Sequence, residues 1–143
     1  MLSIITKAAT NFCEHQIRQP YSVTNGIPKM RMFIASMNIT ENGSIHKVYV
    51  AAPQKLLQTL CEIFLFEEDC DEETLKDMLL ETANMIVGSA KVIAQEEASD
   101  RAFSISTPKF LEINDFTYPY DAQVNIDVNE SNIIVAIKEN DAA

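Results

Sequence analysis

Glycine, cysteine and long apolar runs are all scarce in this sequence, and each scarcity excludes a class of protein. Only 3 of the 143 residues are glycine, and no glycine-rich phosphate loop such as GxxxxGK[ST] is present. The three cysteines show no CxxC spacing, which predicts neither a disulfide framework nor a zinc site. No apolar run reaches the roughly 18 residues that a membrane-spanning helix needs, and the N-terminus lacks a signal-peptide pattern. We therefore expect a cytoplasmic protein that does not enter a membrane.

Positive charge is also in short supply. The 11 lysine and arginine residues are outnumbered by 21 aspartate and glutamate residues, which gives a formal net charge of −10 at pH 7. Such a charge repels nucleic acid and anionic membrane surfaces, so neither is expected as a partner. Hydrophobic residues make up 47% of the chain. At this length, that composition predicts one folded domain over residues 1–143.

Hydrophobic periodicity predicts three helices. The first covers residues 2–17, and the third, at residues 71–97, is the longest. Between them, residues 53–66 begin at a proline and are apolar over more than half the helix circumference, so this helix should be largely buried. The acidic linker that follows, residues 67–73, lacks the glycine and final glutamate of a calcium-binding EF-hand loop. Its role stays open.

The remaining segments predict strands joined by turns. Asn42-Gly43 between two β-prone runs indicates a hairpin over residues 30–52, because both central residues of a type I′ turn need a positive φ. A strand should end before Pro108, and a second hairpin should occupy residues 122–137. Turn-rich residues 18–28 are expected to form a loop, and the tail KENDAA, residues 138–143, is expected to fray. The whole predicts an α/β (α+β) fold, with an antiparallel sheet and the helices packed on one face.

The helix predicted over residues 71–97 has two contrasting faces. At about 100° per residue, one sector is apolar and should face the core; it holds Leu75, Leu79, Thr82, Ile86, Ala90 and Ile93. The opposite sector carries polar side chains and one glycine; it holds Asp77, Glu81, Asn84, Gly88 and Gln95, with Lys91 beside them. Asparagine and glycine both weaken a helix interior, glycine by about 1 kcal/mol relative to alanine. Two interpretations stay open: a solvated face with a glycine kept for packing, or a surface that another protein approaches closely.

Few side chains in the sequence could carry out catalysis unaided. The two histidines, His15 and His46, occur in no nucleophile motif, and His46 follows a hairpin turn where we expect it to be exposed. A carboxylate and an amide one turn apart, at Glu81 and Asn84, can still serve phosphoryl transfer, which needs mainly positioning and charge stabilisation. The amide can hold a water at a fixed angle, and the carboxylate can pair with a lysine of another protein. Such a pair predicts half of an active site, completed by a partner that brings the phosphate.

The segment LLETANMIVGSAK, residues 79–91, resembles the hallmark helix of the CheX/CheC/FliY family of chemotaxis CheY phosphatases. Asp77, Glu81 and Asn84 match the spacing of that family's motif, and Pro108 falls within one residue of its expected proline. The first helix reads TKAATNFCEH and has no glutamate three residues before an asparagine. The resemblance therefore implies a single site per chain, as in CheX, and a CheX-like fold.

The resemblance also implies roles for the polar face. Asn84 would orient the water that attacks the aspartyl phosphate of a CheY-like response regulator, and Glu81 would bind the conserved lysine of that receiver domain. Asp77, Gly88 and Lys91 would help to bind this phosphorylated partner. The chain would need no cofactor of its own, because Mg²⁺ would belong to the receiver, and it would form a homodimer. The alternative is a CheX-like module that docks a receiver or a flagellar switch protein without catalysis. The sequence does not say which response regulator is the substrate.

Overall fold

Three α-helices cover one face of an antiparallel sheet in the computed structural model, which describes residues 1–140. The helices are α1 (Leu2–Asn11), which continues as a π-helical segment (Phe12–Ile17), α2 (Gln54–Leu65) and α3 (Glu72–Glu97). The strands are β1 (Tyr21–Thr24), β2 (Arg31–Glu41), β3 (Ser44–Ala52), β4 (Phe103–Ile105), β5 (Lys109–Asp115), β6 (Ala122–Val128) and β7 (Ser131–Asn140). They lie in the order β1-β6-β7-β3-β2-β4, and β5 pairs with β2 beside β4. The predicted fold class is confirmed.

Both predicted hairpins are present. Asn42 and Gly43 link β2 to β3 with φ angles of 47° and 89°. Asn129 and Glu130 link β6 to β7 with φ angles of 52° and 65°. Two successive positive φ values give the backbone twist that a tight hairpin needs. The turn chemistry therefore sets the register of both strand pairs.

The sheet has a hydrophobic core on each of its faces. Alternate strand residues such as Phe33 and Val50 pack with the helices into the larger core. The residues between them, including Ile34 and Tyr49, form a smaller core on the other face. Loops and β5 cover that second core, with Phe116 contributing, and this covering was not predicted. Within residues 1–140 no helix is both long and apolar enough to span a membrane.

Two strands appear where none was predicted. The predicted loop at residues 18–28 contains β1, which pairs with β6 even though all four of its residues are exposed. The sheet supplies its hydrogen-bond partners, so pairing overrides weak local propensity. β5 pairs with β2 through a bulge, where Ile34 faces Glu112 and Ala35 faces Phe110. That extra residue breaks the period-2 alternation by which a strand is recognised.

His46 and the tail also differ from the predictions. The His46 side chain is only 14% exposed, with Nε2 3.5 Å from Glu41 Oε1 and Nδ1 3.7 Å from Glu139 Oε1. The prediction of an exposed histidine is wrong because β7 extends to Asn140 and places Glu139 opposite His46. Fraying is likewise wrong for residues 138–140, which belong to β7. Residues 141–143 of the predicted tail lie outside the described residues.

Candidate functional site

The site is built on α3, whose predicted bounds are confirmed. Asp71 is the N-cap, and its Oδ1 accepts a hydrogen bond of 2.9 Å from the backbone N–H of Thr74. This hydrogen bond lowers the pKa of the Asp71 carboxyl. Glu72 and Glu73 occupy the first turn, where the helix dipole favours negative charge. The acidic end of the linker thus defines where the helix begins.

One face of α3 is buried in the larger core. Leu79 and Ile86 are fully buried. The Thr82 hydroxyl is also buried and donates a 2.8 Å hydrogen bond to the Met78 carbonyl one turn earlier. The predicted core stripe is therefore correct, apart from Ile93, which is half-buried. Burial of this stripe fixes the rotation of the helix about its axis, and so determines which residues face outward.

The opposite face of α3 is open to solvent. Asp77, Glu81 and Asn84 are exposed, while Gly88 and Lys91 are half-buried farther along the helix. Within residues 1–140, no ion pair involves Asp77, Glu81 or Lys91. In the same residues, no side-chain hydrogen bond involves Glu81 or Asn84. The structure thus brings all five predicted site residues to one helix face; their roles stay predictions.

Gly88 lies in open space. A Cβ atom built on it would meet no other heavy atom within 4 Å, setting aside the helix's own nearby backbone. Its backbone φ also lies outside the left-handed region that favours glycine. The interpretation that this glycine is kept for internal packing is therefore wrong. Neither the fold around Gly88 nor its conformation requires a bare position in the middle of α3.

Two shallow grooves border α3. The first has a volume of about 260 Å³ and lies where α2 ends; it is lined by Leu65, Thr74, Asp77, Met78 and Glu81. The second, of about 210 Å³, lies against the first helix; it is lined by Ala8, Asn11, Phe12, His15, Gln16, Met85 and Ser89. Two of the predicted site carboxylates therefore stand at the rim of a groove whose far wall is an apolar side chain of α2.

That apolar wall departs from the prediction for residues 53–66. Leu56, Leu57, Leu60 and Cys61 of α2 are buried as expected. Its C-terminal end is not, because Leu65 is 44% exposed and Phe66, the residue that caps the helix, is 90% exposed. Sequence reasoning assigned this end to the core, since an aromatic residue continuing an apolar helix pattern is ordinarily buried. Only the acidic run that begins at Glu67 could have indicated that the chain leaves the core here.

Pro108, the last position of the motif, is half-buried in the link between β4 and β5. The chain after it lies against the start of α3, since Lys76 Nζ is 5.0 Å from the centre of the Phe110 ring. Both β4 and β5 pair with β2. Pro108 therefore sits at the sheet edge and not on α3.

The other reactive side chains of residues 1–140 form neither a metal site nor an activated nucleophile. In the described part of the chain, no group of three His, Cys, Asp or Glu side chains is arranged to hold a metal ion. Burial raises the pKa of the Cys13 thiol to about 11 and that of Cys61 to about 12. Both thiols are therefore protonated at neutral pH and are poor nucleophiles. On the open face of α3, the groups available for chemistry are the exposed carboxylates and the amide.

Comparison with known proteins gives a family and a fold. A family model described as "Chemotaxis phosphatase CheX" matches residues 33–129. CheX from Vibrio vulnificus superposes with a TM-score of 0.82 at 16% identity, covering 97% of this chain and 95% of that one. A CheC-like protein from Shewanella oneidensis gives 0.80 at 14%, with 97% of each chain covered. CheX in a CheX-CheY-BeF3-Mg²⁺ complex from Borrelia burgdorferi gives 0.71 at 16%, covering 96% and 97%. No curated protein sequence matches this chain.

Proposed function

The chain belongs to the CheX family of chemotaxis phosphatases, and from that premise we propose that it dephosphorylates the receiver domain of a CheY-like response regulator. The bond hydrolysed is the aspartyl phosphate. One observation carries the proposal: Glu81 and Asn84 project from the open face of α3 with no partner among residues 1–140. A surface of that kind can enter the active site of another protein.

Asn84 is proposed to orient the attacking water. Its Oδ1 accepts a hydrogen bond from the water, whose oxygen then points in line with the bond from phosphorus to the receiver's aspartate. As the new oxygen–phosphorus bond forms, that bond breaks and leaves the aspartate as a carboxylate. A water proton passes to a phosphoryl oxygen, and the products are inorganic phosphate and the free receiver. The amide does not titrate, so it acts by position alone.

Glu81 is proposed to hold the receiver in register. Its exposed carboxylate can form a charge-assisted hydrogen bond with a lysine ammonium on the receiver. Asp77 and Lys91 flank the pair on the same face, and Gly88 lets the receiver's backbone come close. The electrophile and the Mg²⁺ that neutralises it belong to the receiver. The Borrelia burgdorferi structure supports a CheY-like partner, since a chain of the same fold there forms a complex with CheY, BeF3 and Mg²⁺.

The test is the decay of a phosphorylated receiver, measured across candidate response regulators. We expect wild-type protein to accelerate decay and Asn84→Ala to return it to the rate of the receiver alone. Loss of a transition-state hydrogen bond costs about 100-fold or more. Receiver binding by Asn84→Ala should stay within about twofold of wild type, because the water contact is made during the reaction.

Glu81→Gln should instead raise the KM and Kd by about tenfold, as expected for the loss of a charge-assisted contact. The isosteric change Glu96→Gln, at an exposed position near the end of the same helix, is the matched control and should change neither value. An Asn84→Ala protein with wild-type activity would refute catalysis. If Glu81→Gln then still weakened binding, a non-catalytic module docking a receiver or a flagellar switch protein would be the better description.

We further propose that the working unit is a cytoplasmic homodimer in which two sheets join edge to edge. Within residues 1–140, β1 forms one edge of the sheet and pairs with β6 alone, and its four residues are exposed. Such an edge presents unpaired backbone donors and acceptors that a second copy could satisfy. The three free cysteines are consistent with a reducing compartment.

A further inference from the structure

Phe66 is exposed to an extent that the fold does not require. It is 90% exposed, whereas the other exposed large hydrophobic side chains range from 37% to 55%. Its φ of 57° places it in the left-handed region at the end of α2. Glycine or asparagine is the usual choice at such a helix end, because glycine has no Cβ to clash and asparagine tolerates the left-handed conformation better than other residues do. A phenylalanine at this position therefore satisfies neither burial nor backbone preference.

The segment that follows Phe66 is held where it enters α3. The Gln58 side chain of α2 donates from Nε2 to the Cys70 carbonyl and accepts at Oε1 from the Cys70 N–H, both at 3.0 Å. One residue later, Asp71 caps α3 through Thr74. The turn between α2 and α3 is thus hydrogen-bonded to the Gln58 side chain of α2, and it ends at the N-cap of α3. Phe66 directly follows α2, so the helix on one side and the tied turn on the other restrict its position, which reduces the entropy lost when another protein binds it.

The neighbourhood of Phe66 has the composition of an interface centre. Leu65, the residue before it, lines the same groove as Asp77 and Glu81, so the apolar surface is continuous with the proposed site. Exposed acidic residues follow it along the chain; they are Glu67, Glu68, Asp69, Asp71, Glu72 and Glu73. An aromatic anchor inside a charged rim is the usual anatomy of an interface hot spot. The acidic rim selects a partner surface that is basic at its own margin.

We propose that Leu65 and Phe66 form an apolar anchor that docks on the phosphorylated receiver, beside the contacts of Glu81 and Asn84. This inference rests on the proposed function and names a second contact of the same partner. The receiver surface that fits it is an apolar patch with lysine or arginine at its edge. The anchor contributes binding energy in both the ground state and the transition state, so it sets the Kd and KM and leaves kcat unchanged.

The experiment uses the full chain and a receiver that the wild-type protein dephosphorylates. Binding to the BeF3-activated receiver gives the Kd, and decay assays give KM and kcat. We expect Phe66→Ala to raise Kd and KM at least about tenfold, with kcat within about twofold of wild type. Phe66→Asn removes the same ring but suits the left-handed backbone, so it should weaken binding equally while folding at least as well.

Val92→Ala is the matched control. Val92 is an exposed apolar residue of α3, 55% exposed, far along the helix from the groove that Leu65 lines. Its truncation should leave Kd, KM and kcat unchanged. Wild-type affinity in both Phe66 variants would overturn the anchor while leaving the proposed function standing, provided that Asn84→Ala abolishes dephosphorylation in the same assay. A wild-type protein that neither binds nor dephosphorylates any receiver would overturn both.

Discussion

At the scale of single residues, three exposed or half-buried positions are poorly chosen for stability. Asn84 and Gly88 both weaken the interior of α3, and Phe66 exposes an aromatic ring from a left-handed backbone. None of the three is compensated by a contact within residues 1–140 that would explain its residue type. Residues that cost stability without a local gain are typical of functional surfaces. Their neighbours Glu81 and Leu65 line one groove, which joins the site on α3 to the anchor at the end of α2.

Gly88→Ala separates stability from function at a single residue. Because the added methyl group meets open space, we expect the variant to gain about 0.5–1 kcal/mol in the free energy of unfolding from alanine's higher helix propensity. Urea denaturation measures this gain. The same variant should bind the receiver about tenfold more weakly, because the methyl group blocks close approach of the receiver's backbone.

Ser89→Ala, at the neighbouring half-buried position, serves as the control for Gly88→Ala and should leave receiver binding unchanged. A Gly88→Ala protein that is less stable than wild type would show that the glycine is needed inside the fold. A more stable protein with undiminished receiver binding would show that no partner approaches the helix at this point.

At the scale of elements, the strongest sequence patterns led to correct predictions, and two strands with weak patterns were missed. The long helix was predictable because its apolar stripe, acidic first turn and Asp71 cap all agree. The first hairpin was predictable from Asn42-Gly43 alone. β1 was not, because its pairing depends on β6, about a hundred residues away along the chain, and local propensity carries no such information. The bulge opposite Ile34 concealed β5 in the same way.

In the candidate site, too, helical periodicity revealed some residues and not others. Asp77, Glu81 and Asn84 lie on a helix, where the 3.6-residue period tells which side chains face outward. The exposure of Phe66 depends on where α2 leaves the core, and that is a property of the tertiary packing. The second core was missed for a related reason: the Tyr49 ring of β3 stacks on Tyr118, which lies in a segment with no regular period. The period of a sequence indicates where helices and strands lie, but it does not show which of them contact one another.

The second core leads to a prediction of how the free energy of unfolding changes at alkaline pH. Burial, together with the hydrogen bond that the Tyr118 hydroxyl donates to Glu112, raises the pKa of Tyr118 to about 12. An ordinary tyrosine ionises at about 10. The unfolded chain therefore loses this proton first, so the stabilisation is complete below about pH 10 and is lost as the pH rises through about 12. Unfolding free energy should fall steeply across that window.

Tyr118→Phe checks this by removing the titrating group, so its stability should fall less steeply between those pH values than that of the wild type. Tyrosinate absorbance of the folded protein should also lose its late-ionising component. Glu112→Gln keeps the burial and removes the carboxylate, so it should shift that component only part of the way toward lower pH. An unchanged slope in Tyr118→Phe would show that ionisation of Tyr118 is not the source of the pH dependence.

At the scale of the whole molecule, the two edges of the sheet differ in how they resist association. The edge at β4 and β5 is interrupted by Pro108 and carries charged residues such as Lys109 and Glu112. Proline and charge are the usual protection of an exposed edge. β1 has the sequence YSVT, with no charge, and Val23 at its centre is 48% exposed. A net charge of −10 opposes association, so two copies should meet where neither carries acid.

We therefore expect light scattering to give twice the chain mass of 16.0 kDa, and Val23→Lys to give the monomer, because two facing lysines repel across a paired edge. Val92→Lys, an exposed apolar position on α3, should leave the dimer intact. Because each chain carries its own Glu81 and Asn84, the Val23→Lys monomer should retain the wild-type kcat.

A wild-type protein that is monomeric would refute edge pairing altogether. A dimer that persists in Val23→Lys would show that the interface does not lie at β1. A monomer that loses activity would show that the second copy contributes to the site.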